Sequence, residues 1–303
     1  MPSNISNKKG SLELRKVYPY FYFLPIVIAI TVISIFPLFR AIQMSFYSYN
    51  LLEPAKIGFN GFANFKKLLF EEPLFLKSLG NGVTFTLLSV LFEYILGLVS
   101  ALLLNSHFVK MKNTFKALIM LPWAVPIAIN SLNWRFMLAP DYGAVNQILT
   151  SLGFADFRMM SWLTNLNSVM ATVIFVNVWR SFPFYTITLL AGLATIPNEQ
   201  YEAARIDGAG KIARFFYITL PGLKGISTVI ITFHIIWTFI NFDVIYLLTG
   251  GGPLNQTEVL PTLLYKQAFS NFDMGYASAI GVFISLLLII LVGPFYLRNN
   301  HSE

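Results

Sequence analysis

The 303-residue chain is 56% hydrophobic and 16% aromatic, with only 12% charged residues and a mean hydropathy of +0.64. Soluble domains carry about 25% charged residues, so this composition excludes an ordinary soluble fold and points to a chain embedded in lipid. The absence of cysteine excludes disulfides and thiolate metal sites, and the net charge of +7 sits beside apolar stretches instead of forming the stripe that nucleic acid would need.

From the N-terminus, "MPSNISNKKG" reads as a disordered tail. Lys8, Lys9, Arg15 and Lys16 then precede an apolar run from Tyr18 to about Phe39, which ends in "FPLFRAIQMSF". No small-residue cleavage site follows, so the run is expected as an uncleaved first span and not a signal peptide. A hydrocarbon core about 30 Å thick needs about 20 helical residues. Six stretches meet that length: 18–39, 79–104, 117–138, 168–193, 226–248 and 276–297. The alternating ten-residue pattern of a barrel is missing, so an all-α integral membrane protein with six transmembrane helices over 18–297 is expected.

An even number of spans puts both tails, 1–17 and 298–303, on one side. With those tails inside, the interior segments hold 12 Lys and Arg in 67 residues and the exterior segments 7 in 95, so cytoplasmic termini are expected. The loop 194–225 is then cytoplasmic. The outer loops carry the turn signals "APDYG" (139–143) and "TGGGP" (249–253) and are too short for a catalytic domain. The second of these is expected to be a flexible corner, and the sequons at Asn4 and Asn255 are read as chance.

The cytoplasmic loop contains "EAARIDGAGKIARFFYITLP" (202–221). Pro197 suits the first turn of a helix, and "NEQYEAARI" is made mostly of good helix formers. Gly208 can take a left-handed C-terminal cap, and Asp207 can cap the next short helix. Ala203 and Ala204 offer a slim face for close approach, with Glu202 and Arg205 at its rim. On these grounds the segment reads equally as a solvated connection or as a docking helix. The "GAGKI" at 208–212 is no phosphate loop, because Arg205 occupies the nearby glycine spacing and Ile212 follows Lys211 where Ser or Thr is needed.

Ionisable and polar residues inside spans face protein or water by default. They include Glu93, Asn130, Asn133, Arg135, Asn177, Arg180, His234, Asn241 and Asp243. Helical spacing puts Asn177, Arg180, Ser181 and Phe184 on one face of the fourth span, and His234, Trp237, Thr238 and Asn241 on one face of the fifth. Amides, hydroxyls and aromatic rings suit a sugar, while polar residues that only glue spans together are the alternative. Arg180 either holds an anionic cargo or pairs with Asp243 or Glu93. The scattered His107, His234 and His301 argue against a metal cluster.

The segment 202–221 resembles the signature of permease subunits of binding-protein-dependent ABC importers: Glu-Ala-Ala, Asp-Gly-Ala two residues on, and a Thr-Leu-Pro exit. "AGLATIPNEQY", "FDVIYLLTGGGP" and "FDMGYASAIG" extend the likeness over about 175–285, in particular to the first permease subunit of carbohydrate importers of the maltose and glycerol-phosphate type. The first 110 residues fit by topology alone. The resemblance implies the type I importer fold in a bacterial inner membrane and a coupling helix carrying Glu202, Ala203, Ala204, Asp207 and Gly208. It also implies a mid-membrane sugar path over Asn177, Arg180, Ser181, Phe184, His234, Trp237, Thr238 and Asn241. Asn177 and Asn241 match the maltose pattern in type, whereas Arg180, His234 and Trp237 depart from it. The implied partners are a second permease, a dimer of ATP-hydrolysing subunits that binds ATP and magnesium, an extracytoplasmic binding protein facing "TGGGPLNQTE", and a sugar. No cofactor is implied for this chain itself. An ion-coupled carrier, with Glu93 or Asp243 as the buried acid, is the rival from another class.

Overall fold

The computed structural model describes residues 22–106 and 109–299; the N-terminal tail with Asn4, the first residues of the opening span, His107 and His301 lie outside the described residues. In chain order the helices are α1 (Tyr22–Met44), α2 (Ala63–Lys66), α3 (Pro73–Asn105), α4 (Lys112–Ala124), α5 (Ile127–Met137), α6 (Ala144–Ser151) and α7 (Val169–Ala194). They continue with α8 (Asn198–Ile206), α9 (Lys211–Gly222), α10 (Lys224–Phe239), α11 (Asp243–Thr249), α12 (Leu260–Tyr265) and α13 (Met274–Asn299). The apolar stretches become helices because hydrocarbon offers no other partner to backbone N–H and C=O groups. Among the described residues, α1, α3, α7 and α13 are long and apolar enough to cross a bilayer unbroken.

The third stretch, expected as one helix, is split: α4 and α5 meet at 90°. Pro126 cannot donate a backbone hydrogen bond and pushes the preceding Val125 out of the helical region, to ψ 131°. The fifth stretch, expected over 226–248, is split once within those bounds, and its approach is bent. α9 and α10 meet at 63°, and a wide turn at Phe215–Thr219 leads into Pro221, whose ring cannot sit over a regular preceding turn. The helix then stops at Phe239 and restarts as α11, so Asn241, expected inside a span, stands in an irregular link.

The chain divides into two compact units, residues 1–71 with Gln267–Phe283, and residues 72–266 with the chain from Ile284 onward. In the first, a short antiparallel hairpin pairs β1 (Tyr47–Ser48) with β2 (Gly58–Phe59). Buried Asn64 donates from Nδ2 to the carbonyls of Ser45 and Tyr47, both at 2.9 Å. The amide of Gly275 donates to Tyr49, and the amide of Leu51 donates to Phe272. Lys67 completes the tie, 3.7 Å from Asp273 and 4.1 Å from the centre of the Tyr276 ring.

In the second unit, α3 and α7 form the principal pair. A Cβ on Gly97 would collide with the Tyr185 side chain and lie 3.1 Å from the Thr186 amide, so the two backbones are in direct contact there. Around that contact lie Leu98, Ala101, Tyr185, Leu189, Leu193, Leu223 and Ile230. A second cluster at the other end joins Phe85, Trp134, Val173, Val176, Ile245 and Val259. Gly97→Ala should destabilise the protein by about 1–3 kcal/mol through overpacking. Gly80→Ala, where nothing lies within 4 Å, should not. The check is the thermal midpoint of each variant in detergent, and equal midpoints would reject the close contact.

Candidate functional site

Glu93 is fully buried at the middle of α3, and its two oxygens gather the polar residues of the neighbouring helices. Asn177 on α7 donates from Nδ2 to Oε1 at 2.9 Å, and Nδ1 of His234 on α10 lies 3.1 Å from Oε2. Asn241 donates to Asn177 Oδ1 at 3.2 Å and accepts the Val244 amide at 3.3 Å, which seats the start of α11. Ser181 adjoins the same carboxylate. The His234 ring is packed 4.4 Å from Tyr185, centre to centre.

The eight residues expected along a path therefore separate into two sets. Asn177, Ser181, His234, Thr238 and Asn241 are buried against this chain's own helices. Arg180 and Phe184 are half-buried, and Trp237 is 55% exposed. Arg180 forms no ion pair with Asp243 or Glu93 among the described residues, and its Nε is buried without a partner. Glu93 had stood out in the sequence only as a lone acid within a long apolar run; that isolation was the signal of its role as a hub.

The loop between α7 and α9 is built as expected in its first half. α8 closes with the amide of Gly208 donating to Arg205 and that of Ala209 to Ala204, with Gly208 at φ +80°. This double bond pattern satisfies the last carbonyls of the helix and needs a residue tolerant of positive φ. Two details differ. Pro197 is the cap residue, one place before the helix, and Gly210 precedes α9, leaving Asp207 as the C-cap of α8. The Tyr201 hydroxyl lies 3.0 Å from Thr219 Oγ1, fastening α8 to the segment leading into α10. Glu202, Ala203, Arg205, Ile206, Asp207 and Gly208 are exposed, and Ala204 partly so.

The "TGGGPLNQTE" segment, expected to be a flexible corner, is pinned. Asn81 donates to the carbonyls of Asn255 and Glu258, Lys77 to that of Leu254, and Thr257 Oγ1 to that of Gly252. Buried Glu258 pairs with Lys266 at 2.5 Å. A run of glycines allowed the bends, but the partners came from α3 and from Lys266 just past α12, which the sequence did not place beside it.

Residues 93–299 match the family model described as binding-protein-dependent transport system inner membrane component. The chain belongs to that family. Its members are membrane components of ABC transporters, so the motor is a different subunit and the ion-coupled carrier reading falls away. Among its relatives, a trehalose/maltose transport system permease protein, MalF, of Thermococcus litoralis is 35% identical over 97% of this chain and 96% of that protein. A sulfoquinovosyl glycerol transport system permease protein, SmoG, of Agrobacterium fabrum is 36% identical over 90% of this chain and 87% of that protein. In fold, the family member resembles a bacterial ABC transporter chain involved in the import of the acidic polysaccharide alginate. The TM-score is 0.83 at 23% identity, over 97% of this chain and 99% of that one.

Glu93→Ala would strand the buried Asn177 and His234 without an acceptor and should cost about 3–5 kcal/mol, as removal of one partner from a buried pair does. Glu93→Gln keeps an acceptor for Asn177 and should lose less. Thermal melting and yield of the assembled complex measure both, and wild-type stability of Glu93→Ala would remove the hub.

Proposed function

We propose that this chain is one permease subunit of an ATP-driven, binding-protein-dependent sugar importer. The observation that carries the reading is the exposed, rigidly closed helix α8, slung between two membrane helices within the region matched by the family. Its face of Glu202, Ala203 and Ala204, ending at Asp207 and Gly208, would seat in a cleft of the ATP-hydrolysing subunit. A lever fixed to α7 and, through Tyr201 and Thr219, to α9 and α10 passes closure of the motor to the membrane helices.

In this reading both termini are cytoplasmic and the two bent pairs each count as one span, giving six; the excess of Lys and Arg in the interior segments supports it. The partners are a second permease, a dimer of ATP-hydrolysing subunits that holds ATP and magnesium, and an extracytoplasmic binding protein. Sugar as cargo is supported by the names of relatives that carry trehalose, maltose and sulfoquinovosyl glycerol. The path runs along the side of α7 and α10 that bears Arg180, Phe184 and Trp237. Asn177, Ser181, His234, Thr238 and Asn241 border it from behind, held by Glu93.

Ala203→Trp and Gly208→Val should each abolish uptake and reduce co-purification of the ATPase subunit while this chain stays in the membrane at normal level. Unimpaired uptake by both would reject the coupling role. Uptake should also follow ATP and not an ion gradient. If Arg180 holds an anionic cargo, Arg180→Gln abolishes transport of that cargo with the complex intact; loss of assembly instead assigns it to packing.

A further inference from the structure

Lys224, Ser227, Thr228, Ile231 and Ile235 recur at helical spacing along one face of α10 and line a groove of about 840 Å³, flanked by Leu87 and Tyr94 of α3 and by Leu291 of α13. All of it lies in the second unit. The groove changes character along its length. Its first turns, beside the bend from α9, carry the polar groups, and beyond them Ile231 and Ile235 join Leu87 and Leu291 in an aliphatic wall. The hydroxyls are already spent: that of Tyr94 lies 3.0 Å from Ser227 Oγ, and Thr228 donates to the Lys224 carbonyl at 2.8 Å. What is left is the Lys224 ammonium, exposed and without an ion pair among the described residues.

The surroundings set the depth of that charge. The 63° bend turns α9 out of line with α10, and on α9 Phe216 and Tyr217 are 57% and 83% exposed. Bare aromatic rings beside the end of a span are the pattern of a membrane–water interface. Lys224 follows Tyr217 by about two helical turns, which puts its ammonium near the phosphates of a bilayer. Between Asp207 and Asp243 the chain carries Lys211, Arg214 and Lys224 and no Asp or Glu. A cation at one end of a groove with aliphatic walls beyond it complements a lipid with an anionic head. An apolar helix in the same place would leave the charge unanswered.

We propose that this groove holds one anionic glycerophospholipid, its phosphate on Lys224 and an acyl chain along Leu87, Ile231, Ile235 and Leu291. The inference rests on the importer reading, which puts this end of α10 in the cytoplasmic leaflet, where anionic lipids collect. The lipid packs against the Tyr94–Ser227 bridge that joins α3 to α10.

The test uses the complete transporter, delipidated in detergent and then supplied with dioleoyl phosphatidylglycerol or dioleoyl phosphatidylcholine. Native mass spectrometry should find phosphatidylglycerol retained where phosphatidylcholine is stripped. Lys224→Gln should weaken that binding about five-fold, the worth of one cation beside an anionic headgroup, and Lys224→Arg should keep it. A phosphatidylglycerol with a diazirine in one acyl chain should label α10 at Ile231 or Ile235, or α3 at Leu87, and Ile231→Trp, which fills the groove, should remove the label. Equal retention of the two lipids, or wild-type binding by Lys224→Gln, would overturn the recognition of the headgroup; label confined to other helices would overturn the groove. Because the chain has no cysteine, Ile231→Cys can carry a single benzophenone maleimide, and its crosslinking to another protein chain would put a helix where the lipid is placed and overturn the proposal. None of these results depends on uptake, and loss of ATP dependence, not loss of lipid, is what would reject the importer reading.

Discussion

A single buried carboxylate sets the arrangement of the membrane helices. An ionisable group in an apolar interior is tolerated only when its oxygens are matched by donors, because the desolvation cost is otherwise several kcal/mol. Glu93 meets that condition by taking Asn177 from α7 and His234 from α10, and Asn177 in turn takes Asn241. The bonds fix the rotation of α7 and α10 about their own axes. With Asn177 and His234 turned to α3, Arg180 and Phe184 are left half-buried, and Phe233 and Trp237 exposed.

That constraint joins two parts of the molecule that the chain keeps far apart. α7 runs directly into the exposed α8, and α9 returns from it into α10. Both helices that hold the loop are bound to Glu93, so a push on α8 meets helices tied through one point and not two independent rods. The kinks complete this design. Pro126 and Pro221 interrupt the backbone where regular helix would carry straight through, and Asn241 satisfies the Val244 amide that the break at Ile240 to Phe242 would leave open.

Local rules predicted well wherever the physics was local. Gly208 was marked for a left-handed cap by its place after a run of helix formers, and it adopts φ +80°, with the amides of Gly208 and Ala209 closing the helix. The apolar stretches were legible because lipid demands long helices. Errors arose where a distant partner decided. The glycines at 250–252 suggested mobility, yet Asn81 and Lys77 of α3 and Lys266 just past α12 hold the segment. Asp207 carried a plausible capping side chain, but the tight turn after Gly208 left that place to Gly210.

The membrane class, the helical loop at 198–206 and the family signature could all be read from residues in order, since each depends on composition or on spacing within about twenty positions. Which side of α7 and α10 turns inward could not. Helical periodicity grouped Asn177 with Arg180 and His234 with Trp237, but positions three apart still differ by some 60° around a helix, and the partner Glu93 across the interface took only the first of each pair. The folded chain thus divided one apparent polar face into a buried hydrogen-bonded frame and an exposed aromatic surface.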